Sequence, residues 1–408
     1  MTAHHDLLRS LAQGNERKIL LLVLDGVGDL ATTVAPATPL EAAATPNLDA
    51  LTARSALGRI VPVAHGVTPG SGPGHLALFG YDPTSPETDI GRGVLEALGV
   101  GMEVRRGDVL ARGNFATADA EGRLTDRRAG RPSNDENRRL VAAMQTALDD
   151  EVFAGAEATL ASGEGHRFVL RLRGDALSAE LEDTDPQRLG VPPGEATPSH
   201  PGAATTARLV ERALAAMHRA IAGEPTANRA LLRGFSKLPH LEQLGDLHRL
   251  RCAAFAGYPL YRGVAQVCGM EVVECGKQPA DLYAPVAARW ADFDYFFLHV
   301  KQTDMAGEDG DPEAKRAAIE AADALLPKLL ALGPAVVAIS GDHSTPAAMK
   351  AHSWHPVPLL LWSDHCFVDD TVRFTEREAI RGHLGTFPAM NLMGLLLANA
   401  GRLAKFGA

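Results

Sequence analysis

The residues best suited to chemistry stand in Gly341-Asp342-His343-Ser344-Thr345 and, at a short remove, in Ala351-His352-Ser353-Trp354-His355-Pro356. Aspartate offers hard oxygen and histidine borderline nitrogen, the donor mix that suits zinc or manganese. Alone, an Asp-His pair at a strand end is more often a helix cap beside a surface imidazole. This pair has distant company. Asp25 closes the apolar run 18–24, Ser71 lies in the turn Gly70-Ser71-Gly72-Pro73-Gly74-His75, and Asp304 follows the run Tyr295 to Val300. Acids delivered by buried-looking strands, with a hydroxyl ringed by glycines, describe a place that could hold divalent ions and present a serine to phosphate.

The elements that must position these groups follow from periodicity. Residues 18–24 read as a fully buried strand, and in α/β folds ligands gather at the carboxyl ends of such strands. Thr45-Pro46 reads as a helix start, with Leu48, Leu51 and Leu57 facing a core. A strand is expected over 58–63, then a loop from His65 that opens into a helix near His75. Beyond about residue 100 the pattern changes to short alternating strands (109–117, 166–173) and helices (135–148, 203–222), with a Gly/Pro/Asp/Thr-rich loop at 183–202. From 250 onward longer buried strands return at 251–256, 271–274, 293–300, 334–340 and 357–362, alternating with helices. The expectation is an α/β protein with a mainly parallel sheet covered by helices on both faces. That catalytic domain is split, 1–100 with 248–408, around an inserted α+β cap of 101–247.

The 408 residues carry 40 Lys and Arg against 50 Asp and Glu, a net charge of −10. This argues against nucleic acid or an anionic membrane as partner and leaves room for a local basic pocket. One such knot is Asp126-Arg127-Arg128-Ala129-Gly130-Arg131. The four cysteines show no Cys-x-x-Cys spacing, and the run 19–24 is too short for a signal segment or membrane span, so a cytoplasmic protein is expected.

Taken in order, Asp25-Gly-x-Gly, Ser71-x-x-Gly74-His75, Asp304-x-x-Gly307, Gly341-Asp342-His343-Ser344 and His352-x-x-x-Pro356-Val357-Pro358 resemble the cofactor-independent phosphoglycerate mutases, archaeal-type branch, of the alkaline phosphatase superfamily. The resemblance runs from about residue 18 to the C-terminus and implies an alkaline phosphatase-like fold. It implies interconversion of 3- and 2-phosphoglycerate with Ser71 as nucleophile and two divalent ions, Mn2+ or Zn2+, without an organic cofactor. Asp25, Ser71, Asp342 and His343 would hold one ion, Asp304 and His352 the other. Where the family usually carries a further histidine this chain has Glu308, a carboxylate able to serve at similar reach and to favour manganese. His355 is expected to support the site without binding metal. The resemblance gives Arg127, Arg128 and Arg131 the substrate, with Asn228, Arg233 and Lys237 as a second set and Arg262 as a further phosphate contact. Asp183 or Asp185 is the candidate proton carrier. A phosphomonoesterase or phosphotransferase with the same dimetal serine chemistry is the alternative, and a binding protein with a decayed site is a third. The sequence sets no oligomeric state.

Overall fold

The computed structural model describes residues 3–239 and 241–407. The chain forms two compact units, Met1–Asp89 with His240–Ala408, and Ile90–Pro239. Both borders lie earlier than the 101 and 247 expected from composition. Helix Arg92–Gly99 belongs to the inserted unit because it lies on the strand Val109–Ala118, where a Cβ at Gly93 would strike the Leu110 backbone. Its Val94 N–H also donates to Ser236 Oγ at 3.1 Å. At the other border Leu244 N–H donates to Cys268 O at 2.9 Å, which draws the helix Leu244–His248 into the first unit.

The first unit is built on an eight-stranded sheet in the order Gly385–Pro388, Ala56–Val61, Val357–Ser363, Val336–Ser340, Ile19–Leu24, Tyr295–Val300, Cys252–Phe255, Glu271–Val272. Neighbours are parallel throughout, except that Val357–Ser363 runs against both of its partners. Ile19–Leu24, Val336–Ser340 and Tyr295–Val300 are buried at every position. Strands covered on both faces read as unbroken apolar runs, which is why periodicity located them. Their carboxyl ends deliver Asp25, Gly341-Asp342 and the helix Gln302–Asp309 to one edge of the sheet.

The inserted unit is an antiparallel sheet in the order Leu124–Asp126, Val109–Ala118, Arg167–Gly174, Ala156–Ser162, with Arg229–Ser236 also paired to Val109–Ala118. Helices Asn134–Asp149 and Ala204–Ile221 contribute to its core with Leu140, Met144, Val210 and Met217, against Phe115 and Phe168. Periodicity missed the strands 124–126, 156–162 and 229–236. The first is three residues long, the second is rich in alanine, and the third interrupts its apolar residues with arginine and glycine. Among the described residues no helix is long and apolar enough to cross a membrane.

Candidate active site

Asp25, Ser71, Asp342 and His343 meet at the carboxyl edge of the large sheet. His343 Nε2 lies 3.3 Å from Ser71 Oγ, 3.4 Å from Asp25 Oδ1 and 3.2 Å from Asp342 Oδ2. Ser71 opens the helix Ser71–Leu78, so its hydroxyl sits among first-turn N–H groups that have no intrahelical acceptor. That helix docks closely because a Cβ at Gly74 would drive into the Asp342 carbonyl. Gly26 adopts φ +61°, and a Cβ there would come within 2.5 Å of Thr345 Oγ1 and 2.7 Å of Asp304 Oδ1. Only glycine allows both the left-handed turn after Asp25 and this approach.

Asp304, His343 and His352 form a second group on the other side of the His343 ring. His343 Nδ1 is 3.9 Å and His352 Nε2 3.6 Å from Asp304 Oδ1, and the two imidazoles stack at 3.6 Å between centroids. Glu308 borders this group, with Oε1 3.7 Å from His352 Nε2, but its side chain is 54% exposed. His352 is oriented by its Nδ1, 2.9 Å from Pro69 O. His355 makes no approach of this kind: its Nδ1 is 3.0 Å from Ser353 Oγ and its carbonyl accepts from Ser344 Oγ at 3.1 Å.

The donor sets fit divalent ions. Asp25 Oδ1 and Asp342 Oδ2 are buried without an aligned hydrogen-bond donor, an arrangement that is costly unless a cation meets them. Burial alone would push the Asp25 carboxyl up, yet Lys301, His299 and His343 together hold it well below the usual range. Asp342 follows the same pattern: burial and Asp25 oppose ionisation, and His343 and His75 outweigh them.

Sequence reasoning gave no role to the groups that frame these ligands. His299 donates from Nε2 to Asp25 Oδ2 at 2.8 Å, and Tyr261 stacks on its ring at 3.6 Å. Burial lowers the His299 pKa more than Asp25 restores it, so the ring is a neutral donor. Lys301 Nζ reaches Asp304 Oδ2 at 2.5 Å and Asp25 Oδ2 at 3.5 Å. His75 lies 3.1 Å from Asp342 Oδ2, and although burial disfavours its charge, that carboxylate raises its pKa. Lys315 is wholly buried and donates to Asp29 Oδ2 (2.9 Å), Gly28 O (3.1 Å) and Thr345 O (2.8 Å). It thereby ties the loop after Asp25 to the loop after His343. A histidine inside an apolar strand and a lysine on an amphipathic helix carry no signal of such roles in the sequence.

The remaining basic candidates lie elsewhere. In the first unit Arg262 pairs with Glu274 at 2.5 Å. In the inserted unit Arg127 forms a two-pronged pair with Asp185 (2.7 and 2.6 Å), and Arg233 approaches the same carboxylate at 3.7 Å. Burial would raise Asp185, but Arg127, the Gln187 N–H at 3.0 Å and then Arg233 keep it below its usual range. Asp185 is thus an organiser of arginines, held ionised and poorly suited to carry a proton. Asp183 accepts the Gly234 N–H at 2.6 Å. The Asp126 carboxylate accepts the N–H groups of Arg128 and Gly130, both at 2.7 Å, and Ala129, Gly130 and Arg131 all have positive φ. Asn228 exchanges hydrogen bonds with the Ala118 backbone (2.8 and 3.0 Å) and so braces the strand Val109–Ala118, while Lys237 donates to Leu177 O in the loop after Arg167–Gly174.

Three arginines that sequence reasoning passed over join Arg233. Arg112 stands directly opposite Arg233 in the strand register, and Glu96 is shared by Arg112 (3.5 Å) and Arg167 (3.9 Å). Like charges facing each other across a ladder are destabilising unless an anion comes between them. Burial, with Arg167, Arg233 and Arg92 nearby, pushes Arg112 down to about 10. Burial also pushes His166 down to about 4, helped by Arg167, Arg112, Arg128 and Arg131. The inserted unit therefore carries a concentrated positive field in a protein of net negative charge.

Comparison with known proteins agrees with this geometry. A family model described as 2,3-bisphosphoglycerate-independent phosphoglycerate mutase matches residues 52–227. A probable enzyme of that description from Thermus thermophilus is 50% identical over 408 residues, covering 98% of each chain. Another from Deinococcus radiodurans is 46% identical over 409 residues, covering 99% of each. Among solved structures, the PH0037 protein of Pyrococcus horikoshii superimposes with a TM-score of 0.82 at 30% identity, covering 97% of this chain and 100% of that one. The cofactor-independent phosphoglycerate mutase of Thermoplasma acidophilum does so with 0.71 at 28% identity, covering 94% and 100%.

Proposed function

The chain belongs to the 2,3-bisphosphoglycerate-independent phosphoglycerate mutase family, and from that premise we propose that it interconverts 3-phosphoglycerate and 2-phosphoglycerate through a phosphorylated Ser71. The observation that carries the mechanism is the convergence of Ser71 Oγ, His343 Nε2 and two donorless carboxylate oxygens within one buried corner. Asp25, Asp342, His343 and Ser71 would hold one divalent ion and Asp304, His352 and Glu308 a second, manganese or zinc. Such ions supply charge that lowers the proton affinity of a hydroxyl and neutralises phosphoryl oxygens.

Ser71 Oγ forms its bond to phosphorus as the bond to the C3 oxygen of glycerate breaks. The serine proton leaves and the glycerate oxygen gains one, so the exchange needs no co-reactant. Glycerate stays, turns, and takes the phosphoryl group back on its C2 oxygen while Ser71 regains its proton. Lys301, within reach of both Asp25 and Asp304, offsets charge where the phosphoryl group arrives. The inserted unit would serve as the substrate-binding cap, with Arg112, Arg167, Arg233 and the Arg127–Arg131 turn as its groups suited to anionic carboxylate and phosphate. A small phosphorylated substrate and this reaction class suit an enzyme of the cytoplasm.

An enolase-coupled assay with no bisphosphoglycerate added tests the proposal. The protein should turn over after saturation with Mn2+ or Zn2+, lose activity on chelation, and yield a phosphopeptide containing Ser71 after acid quench. Activity surviving Ser71→Ala would sink the mechanism.

A further inference from the structure

His343 lies between the two ligand groups, and its ring nitrogens face opposite ways: Nε2 toward Asp25 and Asp342, Nδ1 toward Asp304. Geometry alone lets it serve either group. The buried hydroxyl of Thr345 decides between them. Thr345 Oγ1 is 2.5 Å from Asp304 Oδ1 and 2.9 Å from His343 Nδ1. A hydroxyl has one proton to give. Two oxygens at 2.5 Å need a proton between them, and the other Asp304 oxygen already accepts from the Lys301 ammonium. Asp304 is therefore the acceptor, Thr345 its donor, and the remaining lone pair of Oγ1 must take a proton from His343. Nδ1 is the protonated nitrogen, and Nε2 keeps the lone pair directed at the Ser71 corner.

We propose that Thr345 is a positioning residue that fixes the His343 tautomer, commits that ring to the ion held by Asp25 and Asp342, and couples this ion to the one held by Asp304. The inference rests on the two-ion reading of the site. Thr345 is itself held by its N–H, which reaches Gly26 O at 3.2 Å and Gly28 O at 3.0 Å, and by the Lys315 contact to its carbonyl. An ion at Asp304 keeps that carboxylate an acceptor, so occupancy of one group stabilises the donor form of His343 that the other requires. Binding at the two groups should be cooperative.

The test compares metal-free wild type, Thr345→Val, which keeps the shape without the hydroxyl, and Thr345→Ser, which keeps the hydroxyl. Titration calorimetry with Mn2+ should give two cooperative ions in wild type. Affinity at both groups should weaken ~10–100-fold in the valine variant, the range for loss of a partner that orients a ligand. Serine should restore most of that affinity. In the Zn2+-loaded wild-type protein, nitrogen-detected NMR should show His343 protonated on Nδ1, a readout independent of how any variant folds. Unchanged affinities in Thr345→Val, failure of serine to rescue, or an Nε2-protonated His343 would each overturn the proposal. A wild type that binds no Mn2+ or Zn2+ would instead overturn the proposed function beneath it.

Discussion

Replacing Lys315 with methionine keeps a long apolar stem and removes the ammonium that joins the Asp25 and His343 loops. Removing one partner of a buried charged pair costs ~3–5 kcal/mol. Asp29 would still accept from Leu30 N–H (2.7 Å) and Ala347 N–H (3.1 Å), and Gly28 O from Thr345 N–H, which softens the loss. Thr345 O loses its 2.8 Å donor in a place without solvent, which adds to it at ~1–3 kcal/mol for an unpaired buried acceptor. The balance is about 4 kcal/mol, a large part of the ~5–15 kcal/mol that holds a typical domain together. The assay is the urea midpoint of metal-free protein multiplied by the transition slope, with Lys328→Met as control. Lys328 lies on the same helix with an exposed side chain, and its loss should stay within ~0.5 kcal/mol. If Lys315→Met costs less than about 1 kcal/mol, well short of the ~3–5 kcal/mol for a broken buried pair, or the two variants fall together, the claim that Lys315 clamps the site loops is wrong.

Two further outcomes concern the same region. Glu376, which accepts from Asp29 N–H (3.1 Å) and Thr38 Oγ1 (2.7 Å), is pushed by burial from its usual 4.5 up to about 7. Because the folded protein holds this proton more tightly than the unfolded chain does, the contribution is full below pH 4.5 and is lost as pH climbs through 7. At ~1.4 kcal/mol per tenfold this amounts to ~3 kcal/mol, reduced to about 2 because Glu376 keeps some solvent contact. Glu376→Gln should remove that slope, and urea midpoints that run parallel for both proteins from mildly acidic to mildly basic pH would contradict it. At the proposed second ion, Glu308→Gln should weaken Mn2+ binding by ~10-fold, while Glu308→His should shift preference toward Zn2+, as softer nitrogen replaces oxygen. Calorimetric titration with each metal reads both, and equal isotherms for wild type and the Glu308→Gln variant would leave Glu308 a solvated acid.

The acids of the site were legible because each follows an apolar run long enough to be a doubly covered strand, and such strands end where ligands bind. Ser71 was legible because glycines surround it at a helix start. What escaped was whatever depends on register or on the inside of an element. His299 sits in Tyr295–Val300, where every neighbour is core, and nothing in the spacing marks it as the partner of Asp25. Arg112 meets Arg233 only because two strands pair in one register, and periodicity gives no strand at Arg229–Ser236. Asn228 and Lys237, placed beside it in the second substrate set, hydrogen-bond to backbone. The domain borders moved for a related reason: helix Arg92–Gly99 reads like its predecessors in the sequence but packs on the strand Val109–Ala118 after it.

The reversed strand Val357–Ser363 has a consequence for how this centre can change over time. Since the preceding strand ends, and this one begins, at the same edge of the sheet, one connection carries Asp342, His343 and His352 without recrossing the layer. Ser344 and Ser353 pin its two ends together through a 2.9 Å backbone bond, leaving residues 348–351 as an exposed spacer. Lengthening or recasting that spacer would retune the proposed ion site at His352 while the framework around Ser71 stays in place, so metal preference can diverge among descendants without refounding the fold.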